Sequence, residues 1–157
     1  MLDALLKTVH LTSLIVWIGG MAFAHFFLRP SLVVLEPPAR LALMAAVLGR
    51  FLRAVALAAP LAWASGAWMM ARAMQAAADS GGRFLMPLSW SLMTLLGTLM
   101  LGIFVFIRFA LFRALVQALN GGNAGAAAAA LGRVRQWVLL NLLLGILVLL
   151  VALLRWP

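Results

Sequence analysis

The sequence predicts an all-α protein, a bundle of four helices that cross a membrane. Three observations predict it. Two thirds of the 157 residues are apolar and only a tenth are charged, whereas roughly a quarter of a soluble domain is charged. Apolar runs of about 18 residues or more recur along the chain. The basic residues gather at the ends of these runs, where the membrane interface favours them. That placement assigns the net charge of +9 to membrane topology and sets nucleic acid aside as a partner. The absence of cysteine excludes disulfides, thiolate metal sites and thiol catalysis.

A single domain, residues 1–157, is expected, with spans over about 5–28, 50–71, 88–108 and 136–155. The first apolar run is too long for a cleavable signal and lacks a small-residue exit, so it is expected to remain as span 1. Span 1 is expected to stop at Arg29-Pro30, and Glu36-Pro37-Pro38 is a poor continuation for any helix. Helical character resumes near Ala39, riding at the interface before span 2. Span 2 carries Ala54, Ala58, Ala62 and Gly66 at four-residue spacing, a stripe that lets a second backbone approach closely. Pro60 is expected to kink it. Residues 71–87 read as a loop turning at Asp79-Ser80-Gly81-Gly82. Span 3 ends in Arg108 and Arg113, and Asn120-Gly121-Gly122-Asn123 breaks the chain. The alanine tract 124–130 is expected to form a short helix leading into span 4. Arg155-Trp156-Pro157 closes the chain at the interface.

Eight arginines (29, 40, 50, 53, 108, 113, 133 and 135) lie around the two loops after spans 1 and 3. Lys7, Arg72, Arg83 and Arg155 lie on the other side. This asymmetry places those loops in the cytoplasm and both termini outside.

The three acidic residues, Asp3, Glu36 and Asp79, all fall at span ends or in loops. No carboxylate is left inside the membrane for acid–base work, a proton relay or a hard-cation site, and no hydrolase constellation exists. Both histidines sit on span 1, 15 residues apart, which is about 22 Å of rise and about 60° of rotation on an ideal helix. His10 belongs to the outer half, and His25 to the inner half, one turn from Arg29. Met69 and Met70 end span 2 on the outer side, and Met86 and Met93 begin span 3 there. Thioethers with an imidazole suit a soft ion, copper as Cu(I) above all, or a histidine–methionine haem. Such a methionine stripe equally suits plain packing. Arg50 and Arg53 share a helix face and suit haem propionates, lipid phosphates or simple anchoring. Asn141, at the depth of His25, suits a hydrogen bond to that histidine or a helix–helix tie.

At these residues the chain resembles the CopD/PcoD family of bacterial inner-membrane proteins, named for copper resistance. The matching residues are His10 with Trp17-Ile18-Gly19-Gly20, Leu28-Arg29-Pro30, Glu36-Pro37-Pro38 with Arg40, Arg50-Phe51-Leu52-Arg53, Gly66, and 133–144 with Asn141-Leu142 and Gly145. The resemblance covers nearly the whole chain, as a four-span domain standing alone. It implies copper handling on the periplasmic side, and a distant likeness to HemJ-type proteins implies haem b bound through histidine. His10 is the ligand carried over under either reading, with His25 as the other haem-ligand candidate. Two family histidines of span 3 are replaced by Ser91 and Phe106, so the second haem ligand would be a methionine, a histidine of another subunit, or none. A third reading, a non-catalytic assembly subunit joined to its own copies or to a membrane partner, draws on the missing carboxylates and the small-residue stripe.

Overall fold

An apolar chain satisfies its own backbone most completely by staying helical, and this one does so four times. The computed structural model describes residues 1–154. The helices, long and apolar enough to cross a membrane, are α1 (Leu2–Val34), α2 (Pro37–Asp79), α3 (Leu88–Asn120) and α4 (Ala124–Leu153). No strand occurs among the described residues. The interfacial closure expected of Arg155, Trp156 and Pro157 lies outside them.

Two boundaries differ from the sequence reading. Helix α1 does not stop at Arg29-Pro30 but winds on through Ser31 and a tighter last turn, Leu32–Val34. A proline inside a helix removes one hydrogen bond and crowds the carbonyl four residues back. Just ahead of it, Ala24–Leu28 takes a wider turn, and the Ser31 hydroxyl donates to the Phe27 carbonyl at 2.7 Å. The chain breaks only where Leu35 becomes extended and Pro37 opens α2. Helix α2 in turn runs 43 residues without interruption, through Pro60 and on to Asp79, so the loop expected from residue 71 begins only at Ser80. The end of an apolar run is not the end of a helix: Ala71, Ala73, Met74, Gln75 and Ala76 through Ala78 are strong helix formers.

Glycine ends α2 and α3 in the same way. Gly81 and Gly122 take φ of +70° and +68°. Gly82 N–H then reaches Ala77 O while Gly81 N–H reaches Ala78 O, and Asn123 and Gly122 repeat the pattern on Ala118 and Leu119. These paired bonds satisfy the last carbonyls of each helix. Asn123 also starts α4, its side chain accepting from Ala126 N–H at 2.9 Å. The alanine tract is therefore the first two turns of α4 itself, with Ala127 and Ala130 buried.

Helices α1 and α2 form one antiparallel hairpin and α3 and α4 another. Asp3 pairs with Arg72, His10 with Ala62 and Ser65, and Gly20 faces Phe51, the α2 number falling as the α1 number rises. Phe106 meets Trp137 edge-on at 5.0 Å in the second hairpin. The hairpins join through Trp17 against Phe104 and through Gly145, whose missing Cβ leaves room for Ile18 and Met100. The core runs from Met21 and Met100 to Leu48, Leu115, Ala127 and Val134. Outward faces carry large apolar side chains such as Ile15, Leu57 and Leu95, far more than a water-facing surface carries.

At 1.5 Å per residue, α2 is about 65 Å long, twice the hydrocarbon thickness of a bilayer. Paired with α1 through Asp3–Arg72, it runs on past the start of α1 to Asp79. The end of the bundle with the α1–α2 connection and the 121–122 turn is the arginine end; the opposite end, with the N-terminus and residues 80–87, is the terminal end.

Candidate functional site

His10 is positioned by the turn Ala62–Gly66 of α2. Its Nδ1 lies 2.8 Å from the Ala62 carbonyl oxygen and 3.2 Å from Ser65 Oγ. A carbonyl oxygen only accepts, so Nδ1 carries the hydrogen and donates it. Ser65 has already turned its hydroxyl to its own helix, toward Leu61 O at 2.6 Å and Ala62 O at 3.1 Å, and is left as a second acceptor for Nδ1. With the hydrogen on Nδ1, the ring's remaining lone pair belongs to Nε2. Fixing one ring nitrogen on a carbonyl so that the other is presented is the arrangement of metal-binding histidines.

The small-residue stripe explains why the ring fits. Ala58 and Ala62 are buried and Gly66 is half-buried, whereas Ala54, expected on the same stripe, is exposed; a Cβ on Gly66 would stand 3.2 Å from His10 Cε1. One helical turn further along α2, Met69 follows Ser65 and Met70 follows Gly66, both half-buried. Met93 is half-buried on α3 against the core, whereas Met86 lies in the loop before α3 and is exposed. Trp17 is buried in a wide turn of α1, Ile15–Gly19, between His10 and the bundle centre. Wide turns of this kind occur often at functional positions.

His25 stands elsewhere. A second wide turn, Ala24–Leu28, holds it, so the rotation calculated for an ideal helix does not apply. It lines a cavity of about 610 Å³ among α1, α2 and α4 at the arginine end, together with Arg29, Arg40 and Arg135. The cavity continues over apolar side chains, among them Leu48 and Val134. Arg40 Nη2 donates to Val33 O at 3.1 Å and Leu35 O at 3.0 Å, tying down the end of α1, while its buried Nε has no acceptor among the described residues. Arg50 and Arg53 are exposed on α2 and do not line the cavity.

The structure thus joins His10 to the stripe and places Met69 and Met70 one turn beyond it, and gives His25 arginines other than the pair singled out from sequence. In the sequence Arg40 and Arg135 stand out as topology signals and within stretches of the resemblance, not as a pair; that they converge depends on α4 passing beside the start of α2. Asn141 is buried, and its Oδ1 accepts no hydrogen bond among the described residues, so that oxygen makes neither the bond to His25 nor the helix–helix tie expected of it. Asn141 lies seven residues along α4 from Val134, deeper in the bundle than the cavity. No cluster of three or more histidine, cysteine or acidic side chains occurs among the described residues, so any ion at His10 would take thioether partners. Searches of family models, curated proteins and solved structures returned no match to the chain.

Proposed function

We propose that this chain is a multi-pass bacterial inner-membrane protein, with both termini periplasmic, that binds and handles Cu(I) on the periplasmic side. The observation that carries the reading is the His10 ring, fixed through Nδ1 by Ala62 O and Ser65 Oγ so that Nε2 is free to ligate. Met69 and Met70 are the nearest thioethers in sequence to that turn, with Met93 and Met86 on the second hairpin as further candidates. Soft sulfur with one imidazole favours Cu(I) over hard divalent ions. The resemblance to the CopD/PcoD family supports the same ion and the same side of the membrane. Purified protein in competition with a chromophoric Cu(I) chelator tests it. Wild type should retain Cu(I), and His10→Ala should lose at least about tenfold in affinity. Equal retention by both proteins, or none by wild type, sinks the reading.

The same histidine geometry favours a second reading, haem b ligated by His10 Nε2. Protein purified from haem-replete cells would then show a Soret band that His10→Ala removes. A colourless wild-type protein rules this out. The assembly-subunit reading would be favoured by a stoichiometric membrane partner that co-purifies with neither metal nor haem.

A further inference from the structure

We infer that the cavity at the arginine end is a binding site for an anionic amphiphile, its phosphate or carboxylate head held by Arg29, Arg40 and Arg135 beside His25. The inference goes beyond the Cu(I) reading and concerns the opposite end of the bundle; it shares with that reading only the placement in a bilayer. Three observations carry it. The cationic side chains converge from three helices on one cavity of about 610 Å³, well within the size of small-ligand sites. They have no acidic counterpart: the one ion pair among the described residues, Arg72 with Asp3, is at the other end. Arg40 is already held in place by two carbonyls and still has an unanswered buried Nε–H. Below the head position the wall turns apolar at Leu48 and Val134, so a ligand that fits must be charged at one end and hydrocarbon at the other. Basic pockets between membrane helices recognise lipid head groups by this combination, and the planar guanidinium forks suit the oxygens of phosphate or carboxylate.

The test uses the full chain in neutral detergent micelles and reads thermal unfolding against added phosphatidylglycerol, phosphatidylcholine, palmitate or inorganic phosphate. Phosphatidylglycerol or palmitate should stabilise, and the stronger of the two identifies whether the head is a lipid phosphate or a free carboxylate. Phosphatidylcholine matching them would overturn charge recognition, and inorganic phosphate matching them would overturn the need for a tail. Stabilisation by none of the four overturns the site. The double variant Arg29→Gln/Arg135→Gln alters two exposed side chains and should weaken the stabilising amphiphile about thirtyfold; Arg53→Gln, away from the cavity, should not. Equal affinity in the double variant overturns the proposal. An acyl chain carrying a photoreactive group gives an independent readout: adducts should map to 44–48 and 131–138, and adducts confined to other segments overturn it. Flotation of the protein with vesicles, run in parallel, separates failure of this site from failure of the membrane placement itself.

Discussion

At position 66 the absence of a side chain decides where the His10 imidazole rests. A methyl group there would stand 3.2 Å from Cε1 and 3.6 Å from Nδ1, so Gly66→Ala should move the ring by a few tenths of an ångström. The helix gains about 1 kcal/mol from the added alanine, which should roughly offset the crowding. Thermal stability should stay nearly unchanged while Cu(I) affinity in the chelator assay falls severalfold; an unchanged affinity would mean that the ring position does not govern ligation. Asn141 makes the opposite case. Its buried Oδ1 has no donor, and an unanswered acceptor of this kind costs about 1–3 kcal/mol. Asn141→Leu, with the same number and branching of side-chain heavy atoms and none of them polar, should therefore stabilise the bundle in denaturant titrations in micelles, by up to that amount less the crowding from its larger methyl groups. A destabilised variant would show that the amide is satisfied by something bound. Both residues stand out in the sequence, since a histidine and an asparagine within apolar spans are conspicuous against leucine. The sequence could not tell that one is fully engaged on its Nδ1 side and the other is not, because that depends on backbone atoms of a different helix.

The helices themselves show where local rules are strong and where they bend. Glycine at 81 and 122 and asparagine at 123 end and start helices where turn chemistry places them. Pro30 and Pro60, by contrast, do not end theirs: both are exposed on the helix surface, and the helix runs on past each of them. The wide turn Ile15–Gly19 amounts to an extra residue inserted in α1. Deleting Val16, exposed within that turn, should relax it to a regular helix and keep the register of His10 and Met21 on their neighbours. Deleting Leu57, more exposed still but in a regular part of α2, should rotate Ala62 and Ser65 by about 100° away from His10. The first variant is expected to fold and the second to lose its unfolding transition. If the Val16 deletion is the worse of the two, the wide turn is a packing requirement rather than an insertion.

Across the whole molecule, two antiparallel hairpins meet where side chains are smallest or flattest. Gly145 sits at that junction, and a Cβ there would come within 3.0 Å of Ile18 and 3.2 Å of Met100. Ile18 belongs to one hairpin and Met100 to the other, so Gly145→Leu should drive them apart. Overpacking of this kind costs about 1–3 kcal/mol, to be read as a lower unfolding midpoint with helix content retained; an unchanged midpoint would show that the hairpins have room to slide. The same meeting of hairpins leaves a cavity at the arginine end, walled by the last turns of α1, the first turns of α2 and the 131–138 stretch of α4. The two histidine regions are thus products of opposite packing conditions. His10 lies where small residues let helices close on each other, and His25 where the helices diverge.

Composition and the spacing of apolar runs determined that the chain is helical and has four helices of membrane-crossing length, because an apolar backbone without water must bond within its own segment. Spacing also determined the stripe Ala54, Ala58, Ala62 and Gly66 as a property of one helix face, though not that Ala54 would be left exposed. Only the tertiary structure decided which residue the stripe receives, which nitrogen of His10 is engaged, and that Arg29, Arg40 and Arg135 share one cavity. Each of these joins residues far apart in the chain, through helices whose relative rotation is set by wide turns and by side-chain volumes at the crossing points. Local sequence periodicity carries no record of that rotation.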